Sequence, residues 1–180
     1  MDLRQVIDLI EAKSSKKLEL KSLPYGKSSL SPVLSSKNIE NHHNKLARAY
    51  VERYNDGEGD PVFNEAGAFL HNLYFEQFQA PKQNNRPTGS SAALIDKKYG
   101  NFSAFKDAVA KAAMSLQGSG WIYMSKSGEI KTIKNHAKRN DIRLLIDWWE
   151  HAWYMDYGTD KRKYLDNIWR IINWNVINSR

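Results

Sequence analysis

Cysteine is absent from the 180 residues, which removes disulfides, thiolate metal sites and thiol chemistry together. Any metal must then be held by His, Asp or Glu, and histidine itself is scarce, with five residues at positions 42, 43, 71, 136 and 151. No apolar run approaches the roughly 18 residues of a membrane-spanning helix, so no membrane partner is expected. The opening MDLRQVIDLIEAK carries acids and lacks the apolar stretch of a secretory signal. The expected location is cytoplasmic.

What is present is a globular composition biased toward rings and positive charge. Six Trp, nine Tyr and six Phe supply enough large side chains to repay the entropy of ordering, which excludes disorder. Lysine and arginine exceed aspartate and glutamate by 27 to 20. That excess can draw nucleic acid, an anionic membrane surface or a small anionic substrate, and does not choose among them. The length suits one ordinary domain or two small ones.

Residues 1–20 form an extension in which Leu3, Val6, Ile7 and Ile10 recur at helical spacing, predicting a short helix. Pro24 and Pro32 forbid a continuous helix in the Ser-rich stretch that follows. A helical pattern over residues 36–54 stops at Asn55-Asp56-Gly57 and restarts at Pro61. The second helix, over residues 61–78, makes an antiparallel hairpin with the first, and residues 21–82 are assigned to this hairpin domain.

Residues 83–180 read as an α/β domain. Helices over residues 90–98 and 102–116 precede strands over 121–124, 130–133 and 143–147. The aromatic stretch WWEHAWYMDY then leads to a last helix over residues 161–174. The predicted fold class is α+β, an N-terminal antiparallel helical hairpin followed by an α/β domain with a small antiparallel sheet of about three strands.

His42 and Tyr50 are eight residues apart on one helix, about two turns and 80° of rotation, so they share a side. His71 sits on the antiparallel partner helix. Asp147 follows Leu144, Leu145 and Ile146, where a carboxylate is costly to bury without a cation, and His151 comes four residues later. Three imidazoles and a carboxylate suit iron, manganese or zinc. Each piece also has a plain structural reading, as a core histidine, a hydrogen-bonded pair or aromatic packing. Composition and spacing leave both open.

The segment Asp147-Trp148-Trp149-Glu150-His151-Ala152-Trp153-Tyr154-Met155-Asp156-Tyr157 resembles the D-x-W-E-H-A-[YW]-Y-x-D-Y signature of the iron/manganese superoxide dismutases. Leu23-Pro24-Tyr25, Glu40 to Lys45 with Tyr50, His71 to Phe75, Pro87-Thr88-Gly89, Gly118 to Trp121 and Asn173-Trp174 match in the same order. The resemblance covers about residues 21–175. It implies that His42, His71, Asp147 and His151 hold one iron or manganese ion, with a solvent molecule as fifth ligand. The implied reaction converts superoxide to dioxygen and hydrogen peroxide.

By the same resemblance Tyr50 is the gateway tyrosine, and Trp121 and Trp149 are aromatic walls. Glu150 reaches the ligand histidine of a partner subunit, which implies a homodimer. Lys45 and Lys161 or Arg162 are candidates for guiding the anionic substrate, beside their plain reading as solvated surface. The chain departs from the pattern at Leu46, where the family often has a histidine bonded across the dimer to a tyrosine matching Tyr154. Tyr123 replaces a frequent tryptophan. The outer-sphere position that tunes the metal matches His136 on a later segment or Gly67 on the second helix. His136 resembles iron-using or metal-tolerant members, a slight lean to iron.

Two other readings stand beside the dismutase. One is a retained fold with a structural or nucleic-acid-associated role, against which the complete ligand set counts, so a nucleic-acid partner is not expected. The other is a metalloenzyme of different chemistry, such as a zinc hydrolase.

Overall fold

The computed structural model describes residues 17–180, together with Asp2, Arg4 and Gln5. The helix expected within residues 1–20 lies outside the described residues for most of its length. From Lys17 to Leu23 the chain has no regular structure. It is clasped to the hairpin by two asparagines: Asn55 accepts from Leu18 N and donates to Leu18 O, and Asn72 accepts from Lys21 N and donates to Glu19 O.

The first hairpin arm is not one regular helix. It runs as α1 (Ser36–Asn41), a π-helical segment His42–Ala47, and α2 (Arg48–Asn55). Ser35 caps its start, its hydroxyl accepting from Asn38 N. The second arm, α3 (Pro61–Glu76), begins on Asp60, whose carboxylate accepts from Val62 N and Phe63 N, with Pro61 at the first helical position.

Two further helices follow, α4 (Gly89–Tyr99) and α5 (Phe102–Ser115). The sheet has three antiparallel strands, β1 (Gly120–Ser125), β2 (Ile130–Lys134) and β3 (Ile142–Asp147), in the order β2-β1-β3. Central β1 is buried along its whole length. Helix α5 packs on β1 and β2, while α3 packs on β3. The aromatic stretch, given no element by periodicity, forms α6 (Glu150–Tyr157), which ends at Gly158 with φ of 57°. The last predicted helix is shorter than expected. It is α7 (Lys161–Ile168) with a 3-10 turn to Ile171, an extended Ile172, and a separate α8 (Trp174–Asn178) capped by Asn173.

Strand β3 is an edge, and three side chains satisfy its outward carbonyls and the outward N–H of Leu145. Trp148 N bonds Gly120 O, which makes Trp121 and Asp147 a non-hydrogen-bonded pair and turns the carbonyls of residues 143, 145 and 147 off the sheet. Arg180 donates to Arg143 O at 3.2 Å. Gln77 donates to Leu145 O and accepts from Leu145 N. Tyr164 donates to Asp147 O at 3.1 Å. The hairpin is tied on its other side as well, by Asn38 to Ala152 O and by Tyr157 to Val33 O. No helix among the described residues is long and apolar enough to cross a membrane.

Candidate metal centre

Four ligand-type atoms converge between the hairpin and the sheet. One ligand atom from each of His42, His71, Asp147 and His151 lies within 4.8 Å of the others. The Asp147 Oδ2 atom is 3.1 Å from His42 Nε2, 3.7 Å from His71 Nε2 and 3.4 Å from His151 Nε2. The π-helical segment brings His42 and Tyr50 into line. If it absorbs one extra residue, the eight-residue spacing acts as seven, about 20° short of two turns instead of 80° beyond. Both rings accordingly stand against His71, at 5.1 and 5.3 Å between centroids.

In His71 and Asp147 the remaining polar side-chain atom is engaged in a way that leaves the converging atom free. His71 Nδ1 donates to Gly67 O at 2.7 Å, which leaves a lone pair on Nε2. Asp147 Oδ1 accepts from Trp149 N at 2.8 Å. The buried atoms His42 Nε2, His71 Nε2, His151 Nε2 and Asp147 Oδ2 have no hydrogen-bond partner among the described residues. Buried lone pairs aimed at one point repel unless a cation stands among them, so the donor set fits a bound metal. Three nitrogens and one oxygen, without sulfur, suit iron or manganese as well as zinc.

Protonation states favour ligation. Burial lowers His42 from its usual range to about 4 and pushes His71 well below it. Burial alone would raise the Asp147 carboxyl. The imidazoles of His151 and His42 beside it outweigh that cost and hold it well below the usual carboxylate range.

A shell of rings surrounds the cluster. His136, just beyond β2, is buried. Its Nδ1 accepts from Trp121 Nε1 at 3.1 Å, so Nε2 carries the proton of the neutral ring, and that atom is buried without a partner among the described residues. Its ring stacks on Trp149 at 4.6 Å and meets Tyr50 at 4.9 Å. Burial lowers His136 to about 4 and raises the Tyr50 hydroxyl to about 12, so both are neutral near pH 7. Gly67 packs directly under the Tyr50 ring, where a Cβ would stand 2.8 Å from the nearest ring carbon. The space above that helix position is therefore filled by Tyr50, and His136 alone of the two candidates reaches the shell.

Phe63 escaped the sequence reading. It packs on His136 at 4.7 Å, on Tyr50 at 6.0 Å and on Trp149 at 6.5 Å. Its only sequence signal is its place on α3, eight residues before His71, the same interval that separates His42 from Tyr50. A cavity of about 740 Å³ opens beside the centre, lined by Trp149, His151, Trp153 and Lys161 among others. Lys161 lies over the Trp148 ring there, at 5.3 Å, whereas Arg162 is tied to Asp166. Glu150, Lys45, Leu46, Tyr154 and Met155 line a second groove that shares His151.

Residues 87–180 match the family description "Iron/manganese superoxide dismutases, C-terminal domain", and residues 17–60 match the alpha-hairpin domain of the same family. The chain belongs to the iron/manganese superoxide dismutases. A Porphyromonas gingivalis protein named superoxide dismutase [Mn/Fe] is 34% identical, the match covering 90% of this chain and 98% of that one. Superoxide dismutase [Fe] of Bacteroides fragilis is 33% identical, with 90% and 98% covered. Superoxide dismutase [Fe] of Coxiella burnetii is 30% identical, with 88% and 95% covered. The helical hairpin followed by an α/β domain with a three-stranded antiparallel sheet is the dismutase fold, and its four convergent side chains come from both parts.

Proposed function

We propose that the chain disproportionates superoxide to dioxygen and hydrogen peroxide at one iron or manganese ion held by His42, His71, Asp147 and His151. The observation that carries this reading is the convergence of four buried ligand atoms, unpartnered among the described residues, inside a shell of aromatic rings. When bound, such an ion supplies a +3/+2 couple that oxidises one superoxide and reduces the next, which redox-inactive zinc does not offer.

The protein's own groups do the rest. Depressed basicity keeps His42 and His71 unprotonated at neutral pH, and the Gly67 carbonyl orients the His71 ring. Trp121 fixes the tautomer of His136, so that its Nε2–H is held as a donor within the shell. Tyr50 presents a neutral hydroxyl on the same side and is suited to pass protons inward. Trp121, Trp149 and Phe63 narrow the pocket and limit water. Lys161 puts a positive charge at the cavity that leads to His151, which favours an anionic substrate.

The proposal favours iron. His136 in the outer shell supports it, as do the iron-named relatives from Bacteroides fragilis and Coxiella burnetii. A homodimer is part of the same reading. Leu46, Tyr154 and Met155 are 38%, 57% and 43% exposed on one groove beside Glu150, which has no ion-pair or hydrogen-bond partner among the described residues. The His151 side chain is 19% exposed next to it. A two-fold contact would set each Glu150 against the other subunit's His151. Cytoplasmic placement stays an expectation of the sequence.

The test is superoxide dismutation by the purified chain, stripped of metal and reconstituted separately with iron and with manganese. Activity with iron exceeding that with manganese is expected. Stoichiometric binding of both ions with no activity would overturn the proposed reaction. His151→Ala should lose metal retention and activity together, and a fully active, fully loaded variant would remove His151 from the ligand set.

A further inference from the structure

Two buried hydroxyls behind the centre make a directed chain. The Asp147 carbonyl can only accept, so Tyr164, 3.1 Å away, gives it its proton. Tyr74 lies 3.0 Å from Tyr164 and must therefore donate to it. Both rings are fully buried, and burial holds both hydroxyls well above their ordinary range, so the chain consists of neutral hydrogen bonds. It joins three elements. Tyr74 is on α3, three residues beyond His71, and its ring lies 5.5 Å from that of His42. Tyr164 is on α7, and Asp147 ends β3.

We infer that Tyr164, backed by Tyr74, is a positioning residue that sets where the Asp147 carboxylate stands and thereby how tightly the centre holds its ion. The inference rests on the metal-site reading above. Asp147 is the last residue of an edge strand, and its carbonyl faces away from β1. No sheet partner fixes that carbonyl, and Tyr164 is the group that does. Because Tyr74 belongs to the helix of His71, the same two bonds also link the placement of two members of the cluster. Groups that orient metal ligands in this way commonly influence affinity by about 10–100-fold.

The experiment compares the full chain with Tyr164→Phe, Tyr74→Phe and the double variant. For each, the affinities for manganese(II) and iron(II) are measured by chelator competition, and the visible ligand-field band of the loaded, oxidised protein is recorded. Tyr164→Phe is expected to bind about tenfold more weakly and to shift the band. Tyr74→Phe leaves the Tyr164 donor in place and should shift both less. The double variant should lose less than the summed effects, because the Tyr74 donor stranded by Tyr164→Phe is removed with it. Lowered thermal stability with unchanged affinity and an unchanged band would reduce the pair to packing and overturn the inference. Should Tyr164→Phe fail to fold, Tyr74→Phe decides alone, and an unmoved band and affinity overturn it. A wild-type chain that binds neither ion would instead overturn the metal-site reading, and this inference with it.

Discussion

The Gln77 side chain pairs with both backbone polar groups of Leu145, donating to its carbonyl and accepting from its N–H, as a neighbouring strand would. The amide stands six residues beyond His71 and its partner two residues before Asp147, so the contact fixes the two halves of the centre against each other. Arg180 reinforces it, donating to Gln77 Oε1, Arg143 O and Leu73 O. Gln77→Ala strands a buried donor and a buried acceptor, at about 1–3 kcal/mol each. A loss of about 2–6 kcal/mol in urea denaturation is expected, and a change under about 1 kcal/mol would show that the contact is dispensable.

The apoprotein should weaken in mild acid. His42 is depressed from 6.5 to about 4, so between those values the unfolded chain takes up a proton that the folded chain refuses. Stability is then full above pH 6.5 and falls as the pH drops toward 4, by about 3 kcal/mol from His42 alone. His71 and His136 are shifted in the same direction and act in the same sense. Urea midpoints of the metal-free chain at pH 7, 5.5 and 4.5 check this. A constant midpoint would contradict the assigned neutrality of these rings.

Gly67→Ala tests the packing of Tyr50 on α3. The added Cβ would stand 2.8, 2.9 and 3.1 Å from Tyr50 ring carbons, too close for the ring to stay. Overpacking of this kind costs about 1–3 kcal/mol. Displacement of Tyr50 should also lower turnover of the reconstituted enzyme while metal content is retained. Wild-type stability together with wild-type turnover would mean that the ring has room to give.

Leu46→His restores the residue frequent in the family at a position 38% exposed on the groove with Tyr154. A tighter dimer in sedimentation or an altered turnover is expected. If neither moves, the leucine is a neutral replacement.

The fold was legible wherever periodicity and punctuation agreed. Asp60-Pro61 marked the start of α3, and the three strands lie within a residue or so of where alternation and the glycine turns put them. Of the four candidate ligands, Asp147 and His151 were legible in one contiguous signature, and His42 and His71 only through shorter matching segments on the two hairpin arms. What escaped was set by distant partners. Phe63 is one more aromatic on an apolar face until Tyr50 and His136 arrive from elsewhere in the chain. Gln77 and Tyr164 act through backbone atoms of β3, and Tyr74 through the Tyr164 hydroxyl, which no side-chain pattern announces. His136 stands in the polar run from Lys134 to Asn140, and only tertiary packing buries it. The aromatic stretch hid α6 because its rings stand on the exposed face, at Tyr154, as well as on the buried one, at Trp153.

The π-helical turn at His42–Ala47 makes this arm tolerant of a change in length that other helices would not survive. It stores one surplus residue without turning the two ends of the helix relative to each other. Removing a single residue there, Leu46 for example, would let the segment relax into regular α-helix with His42 and Tyr50 still on a common side, since seven residues make nearly two turns. The same deletion in α3 between Phe63 and His71 would swing one of them by about 100°. Of the two helices that frame the centre, one is held to its number of residues and the other only to its orientation.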